Sequence, residues 1–168
     1  MIDRSFIEKA YIEAVIKVID TLAGIKMEPS FDMENGCESV SCCREPHADR
    51  NRVDRITGVI LLPGVRSSLL LLSLTKENAV QLAVQMTGLE PGELSEDYVL
   101  DGVTEVVNQI AGRIRESLYG TEYEFKVTAP FALLGNDYIL FQKSNIEYIL
   151  LNFCGPGMVL NLEAYFLD

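Results

Sequence analysis

Between Leu94 and Gly120, Val99, Val103, Val107, Ile110, Ile114 and Leu118 recur at steps of three and four. At about 100° per residue these side chains fall into one stripe, which predicts a core-facing helix. Ser95 stands before the periodic run as an N-cap, Glu96 and Asp97 suit the positive end of the helix dipole, and Gly120 supplies a stop. The opposite face is polar. Asp101, Glu105, Asn108 and Gly112 lie within about 60° of one another on the same wheel, so a carboxylate and a carboxamide are neighbours on a solvent-facing ridge. Gly112 costs the helix up to about 1 kcal/mol relative to alanine and serves no local turn. It leaves a notch where another backbone can approach, or alternatively a place where two helices pack closely within the molecule.

The same reading organises the rest of the chain. Arg4 to Gly24 forms a first helix whose apolar face holds Phe6, Ala10, Ile12, Ala14, Val15, Val18, Ile19 and Leu22, with Gly24 as its end. Ile25 to Glu28 reads as a short strand, and the pattern breaks at Pro29. Ile56–Leu62 and Ser67–Leu74 form a hairpin around Pro63-Gly64, after which Thr75 caps a helix from Lys76 to Thr87 that ends at Gly88. That helix turns Ala79, Leu82, Ala83 and Met86 inward. Tyr123, Phe125 and Val127 alternate with charged residues as a half-buried strand that Pro130 ends. Tyr138–Lys143, Ile146–Phe153 and Met158–Phe166 follow as strands, with Gly135-Asn136 and Gly155-Pro156-Gly157 as turns. The result is an α+β fold of two layers: a mostly antiparallel sheet with its helices on one face. Element order also repeats weakly, as helix, strand, hairpin, twice over.

With 168 residues the chain is long enough for one sizeable core, so residues 1–168 are read as a single domain. A formal net charge of −11 argues against nucleic acid and against anionic membrane surfaces, leaving a soluble protein or a small ligand as partner. No targeting segment and no membrane-length apolar run is visible, so the expected location is cytoplasmic.

A loop insert covers about residues 29–55, without periodicity and with Gly36, Pro46 and many charges. It holds Cys37, Cys42, Cys43 and His47, which raises the question of zinc; yet the spacing is not the usual Cys-x2-Cys pair, and reduced thiols in a solvated loop are the expectation, with no metal site. Arg44, Arg50, Arg52 and Arg55 in the same stretch are a solvated set or a docking patch for an acidic partner. No Gly-rich phosphate loop or serine elbow competes with the ridge as catalytic apparatus.

Glu and Asn on an exposed helix are ordinary, and on spacing alone the pair reads as solvated surface. Taken with Asp101, Gly112, Leu118 and the valine and isoleucine backing, however, Glu105-x-x-Asn108 resembles the signature helix of the CheC/CheX/FliY chemotaxis phosphatases, and the chain is most similar to the CheX branch. Phe6 to Ala10 with Val15 and Leu22-Ala23-Gly24, the hairpin glycines Gly58 and Gly64, and Thr75-x-Glu77-x-Ala79 with Met86-Thr87-Gly88 also look like family positions. Residues 29–55 depart from the pattern.

This resemblance implies a phosphatase acting on the phosphoaspartate of a CheY-like response regulator receiver domain. Asn108 would orient the attacking water and Glu105 would pair with the receiver's lysine. The chain would need no cofactor of its own, Mg2+ being held in the receiver. Gly112, Tyr98 and Arg115 would contact the partner, and Asp101 would tune that interface or simply be solvated. Matching Leu22-Ala23-Gly24 to Leu118-Tyr119-Gly120 puts Lys9 against Glu105 and Ile12 against Asn108, so one site per chain is expected. CheX-like proteins are homodimers whose sheets join at an edge, and apolar Met158–Phe166 is the expected edge, a monomer covered by the insert being the alternative. Two other functions stay open: a non-enzymatic module of the same fold that docks a receiver or flagellar-switch-like partner, and a thiol or metal sensor built on the insert.

Overall fold

Residues 3–30, 54–135 and 146–167 are described by the computed structural model. Helix α1 (Arg4–Ala23) starts at Asp3, whose side chain accepts from Ser5 N, and ends at Gly24 in the left-handed region (φ 66°). Strand β1 (Glu28–Ser30) precedes the hairpin of β2 (Arg55–Leu62) and β3 (Ser68–Thr75). Helix α2 (Lys76–Thr87) is capped by the Thr75 side chain, and Gly88 closes it. Helix α3 (Glu96–Leu118) leads to β4 (Phe131–Leu134), β5 (Tyr148–Gly155) and β6 (Met158–Phe166). The six strands among the described residues form one antiparallel sheet in the order β1-β5-β6-β3-β2-β4.

Alternation along the strands assigns the faces. Ile56, Ile60, Leu70, Leu72, Leu74, Leu160, Leu162 and Phe153 share one buried core with residues of all three helices, and each such side chain removed from water contributes roughly 1.5–3 kcal/mol. Tyr11, buried in α1, hydrogen-bonds with Ser68 at the start of β3; burial pushes its hydroxyl above the ordinary phenol range, so it stays a neutral pin between helix and sheet. The fold is thus α+β, with the helices layered on the sheet.

Several sequence expectations shift. On α1, Phe6 is 45% exposed, and Ile7 and Tyr11 face the core in its place, with Ile12 and Leu22 only partly buried. Tyr123 to Val127 is not a strand: among the described residues Phe125 bridges Gly64 alone and Lys126 N donates to Pro63 O at 2.8 Å. Alternation there reports real burial of Tyr123 and Phe125, but the segment crosses the hairpin turn instead of running along a neighbour. A Cβ on Gly64 would collide with the Glu124 carbonyl, so that crossing requires glycine. The strand beside β2 lies past Pro130, at Phe131–Leu134.

Pro29 sits inside β1 and Arg55 opens β2, so strands claim both ends of the expected insert. Proline is tolerated there because β1 is an edge among the described strands. Cys37, Cys42, Cys43, His47 and the strand expected at Tyr138–Lys143 lie outside the described residues. β6 is no edge: it pairs with β5 on one side and β3 on the other, and its apolar residues alternate along its whole length because one face of the sheet is packed in the core. Among the described strands, β1 and β4 are the edges.

Candidate functional site

Helix α3 is fixed on three sides. Val99, Val103, Val107, Ile110, Ile114 and Leu118 are buried as the stripe predicts, and Val106 and Ala111 widen it. Gly58 of β2 lets the helix approach the sheet closely: a Cβ there would sit 3.1 Å from Cγ1 of both Val103 and Val107 and 3.2 Å from the Val103 carbonyl. On the α2 side Gly102 faces Ala83, where an added Cβ would be in ordinary contact at 3.7 Å. The Ser95 hydroxyl caps the N-terminus by accepting from Tyr98 N, and Lys76 Nζ ties the first turn to α2 through Glu96 Oε1 at 2.9 Å.

What remains outside is the polar ridge. Asp101 and Glu105 are exposed, and Asn108 and Gly112 are half-buried. Helical geometry separates Glu105 from Asn108 by about 4.5 Å of rise, less than one turn. Gln109 Nε2 donates to Glu105 Oε1 at 2.7 Å. The Asn108 carboxamide has no hydrogen-bond partner among the described residues, so both its donor and its acceptor are available to an incoming molecule. A Cβ built on Gly112 meets nothing within 4 Å, which leaves the notch on the outside and removes the helix-packing explanation for it.

Tyr98, 57% exposed, and exposed Arg115 stand at the two ends of the ridge. The Asp101 side chain is exposed and its backbone carbonyl accepts from Thr104 Oγ1. Arg113, on the flank, is held by Glu116 at 3.1 Å. A groove between α1 and α3 is lined by residues including Lys17, Asp20, Arg113 and Glu116, and contains neither Glu105 nor Asn108. The pair therefore lies outside that groove, on the outward ridge of α3.

The corresponding face of α1 carries no such pair: Lys9 bonds Glu13 at 3.7 Å and Ile12 packs partly against the core. Sequence reading missed Gln109, although its position four residues after Glu105 is the available signal. Among the described residues no three His, Cys, Asp or Glu side chains are placed to hold a metal ion, and no helix is long and apolar enough to cross a membrane.

Comparison with known proteins extends the picture beyond this one helix. Structures similar to this chain include a CheX from Desulfovibrio desulfuricans (21% identity, 96% of this chain and 99% of that one, TM-score 0.71) and a CheX from Vibrio vulnificus (16%, 99% and 100%, 0.73). Another is the Borrelia burgdorferi CheX-CheY-BeF3-Mg2+ complex (16%, 95% and 97%, 0.68). At these identities the likeness is one of fold. A search of curated proteins finds no match. The family model for the chemotaxis phosphatase CheX matches residues 56–154, more than half of the chain and the whole of α3. Since that match spans the hairpin, both later helices and the ridge, the chain belongs to the CheX family of chemotaxis phosphatases.

Proposed function

We propose that this chain hydrolyses the phosphoaspartate of a CheY-like receiver domain, with Asn108 orienting the attacking water and Glu105 pairing with a lysine of the receiver. The observation that carries the reading is a carboxamide without a partner among the described residues, less than one turn from an exposed carboxylate on the outward ridge of α3. Hydrolysis through a loose transition state needs in-line placement of water more than it needs a strong base. The Asn108 amide can hold that water by its oxygen or its NH2 while adding no negative charge beside the phosphoryl oxygens. Water attacks phosphorus, the bond from phosphorus to the carboxylate oxygen breaks, and aspartate and inorganic phosphate are left. Mg2+ belongs in the receiver's acidic pocket; the Borrelia complex pairs a CheX with a CheY in the presence of BeF3 and Mg2+. Cytoplasmic location follows from the same reading, as does action within chemotaxis.

The test follows the decay of phosphoaspartate in CheY-like receivers of the host organism with and without the protein. Acceleration by at least ten-fold is expected. Binding without any acceleration would instead make the chain a non-enzymatic docking module. Gly112 gives a second, independent check. Gly112→Ala should stabilise the free protein by roughly 0.5–1 kcal/mol, because alanine is the better helix former and the position is open. In the same variant receiver affinity should fall several-fold, because the notch is filled; thermal melting and titration of the receiver measure the two effects.

We also propose a homodimer, joined at β4 and not at β6. Among the described strands the outer edge of β4 is unpaired, and Phe131 and Leu134 are 51% and 50% exposed. Such an edge is a template for a second strand. Sedimentation should give a dimer that Phe131→Lys converts to monomer, and a wild-type monomer would refute the proposal.

A further inference from the structure

Glu105 does not stand alone on its ridge, since the amide of Gln109 reaches back one turn and donates to Oε1 at 2.7 Å. We propose that Gln109 is a positioning residue: it fixes the Glu105 carboxylate along α3 while leaving the second oxygen and the full negative charge for the ammonium of the docking receiver. This rests on the phosphatase reading above and deepens it.

Three observations support the assignment. First, the donor is neutral. At the matching positions of α1, Lys9 stands in the place of Glu105 and Glu13 in the place of Gln109, and the two form an ion pair at 3.7 Å, so the same spacing there joins two charged groups and leaves no free carboxylate. Second, the nearest cation further along that flank, Arg113, is engaged by Glu116 at 3.1 Å. Third, no described ion pair involves Glu105. The arrangement restrains the side chain without discharging it. A free glutamate on a helix surface samples many rotamers and loses that freedom on docking; one already held loses less.

Gln109→Met keeps the length and helix propensity but removes the donor, so KM for the phosphorylated receiver should rise about three- to ten-fold with kcat unchanged. Gln109→Lys places a cation four residues after Glu105, the favourable orientation for an intrahelical pair. KM should then rise further, ten-fold or more, with a melting temperature no lower than wild type. A residue acting only on stability would not separate KM from kcat in this way.

The assay uses the full chain and a panel of CheY-like receivers phosphorylated with acetyl phosphate. In the Glu105→Ala background Gln109→Met should have less than a two-fold effect, because the group it positions is gone. An equal effect in both backgrounds, or no change in KM for Gln109→Met alone, overturns the assignment while leaving the phosphatase reading intact. Absence of acceleration by the wild-type chain across the panel overturns both, and is read directly from the parent protein.

Discussion

Asn108→Ala is expected to lower the rate of phosphoaspartate hydrolysis in the docked complex by about 100-fold or more, the scale on which small misplacement of a reacting group is felt. The fold should not suffer. Asn108 is half-buried and its amide makes no hydrogen bond among the described residues, so truncation orphans nothing in the free chain. Alanine is also the better helix former, which should leave the melting temperature equal to wild type or slightly higher. Receiver affinity should change by less than about three-fold, because the amide is asked to hold water and not to anchor the partner. Asn108→Asp sharpens the test. It keeps the shape and one acceptor but sets a carboxylate beside the phosphoryl oxygens, where like charge opposes both docking and attack. Single-turnover decay with saturating protein should therefore find Asp no better than Ala. Near wild-type decay in either variant would show that water is placed by some other group.

How much of this was legible beforehand depends on how local the information is. The stripe on α3 was readable because six apolar residues repeat at the helical period, and the ridge followed as its complement. Caps were readable for the same reason: Ser95 and Thr75 act within three residues of themselves. Strand partners were not. Met158–Phe166 looks like an edge in need of cover only while its neighbours are unknown; β5 and β3 supply the cover from both sides. Tyr123 and Phe125 alternate as a strand does, yet the tight approach of Gly64 permits only a single bridge. The true neighbour of β2, Phe131–Leu134, is four residues long and gives too short a pattern to stand out. At the site, residue type and face were visible, whereas the spacing of four between Glu105 and Gln109 allows their hydrogen bond without fixing the rotamer that makes it.

Glu105→Ala is expected to act on docking in the way that Asn108→Ala acts on chemistry: KM rises about 10- to 100-fold and kcat at saturation falls by far less. An exposed carboxylate in the free chain forms only weak, screened pairs, but the same group pressed into an acidic pocket against an ammonium is desolvated, and losing one member of such a pair costs about 2 kcal/mol or more. Glu105→Gln should recover little, since it restores shape and hydrogen bonding without charge. Glu105→Lys should be the most damaging of the three, because it opposes the receiver's lysine with a second cation. Salt screens the attraction between Glu105 and the lysine, so raising ionic strength should raise the wild-type KM more steeply than that of Glu105→Ala. The exchange experiment isolates the contact: a receiver whose lysine is replaced by glutamate should bind Glu105→Lys better than it binds the wild-type chain. If instead all three variants bind a BeF3-loaded receiver as tightly as wild type, Glu105 lies off the docking surface and register must be set elsewhere along α3.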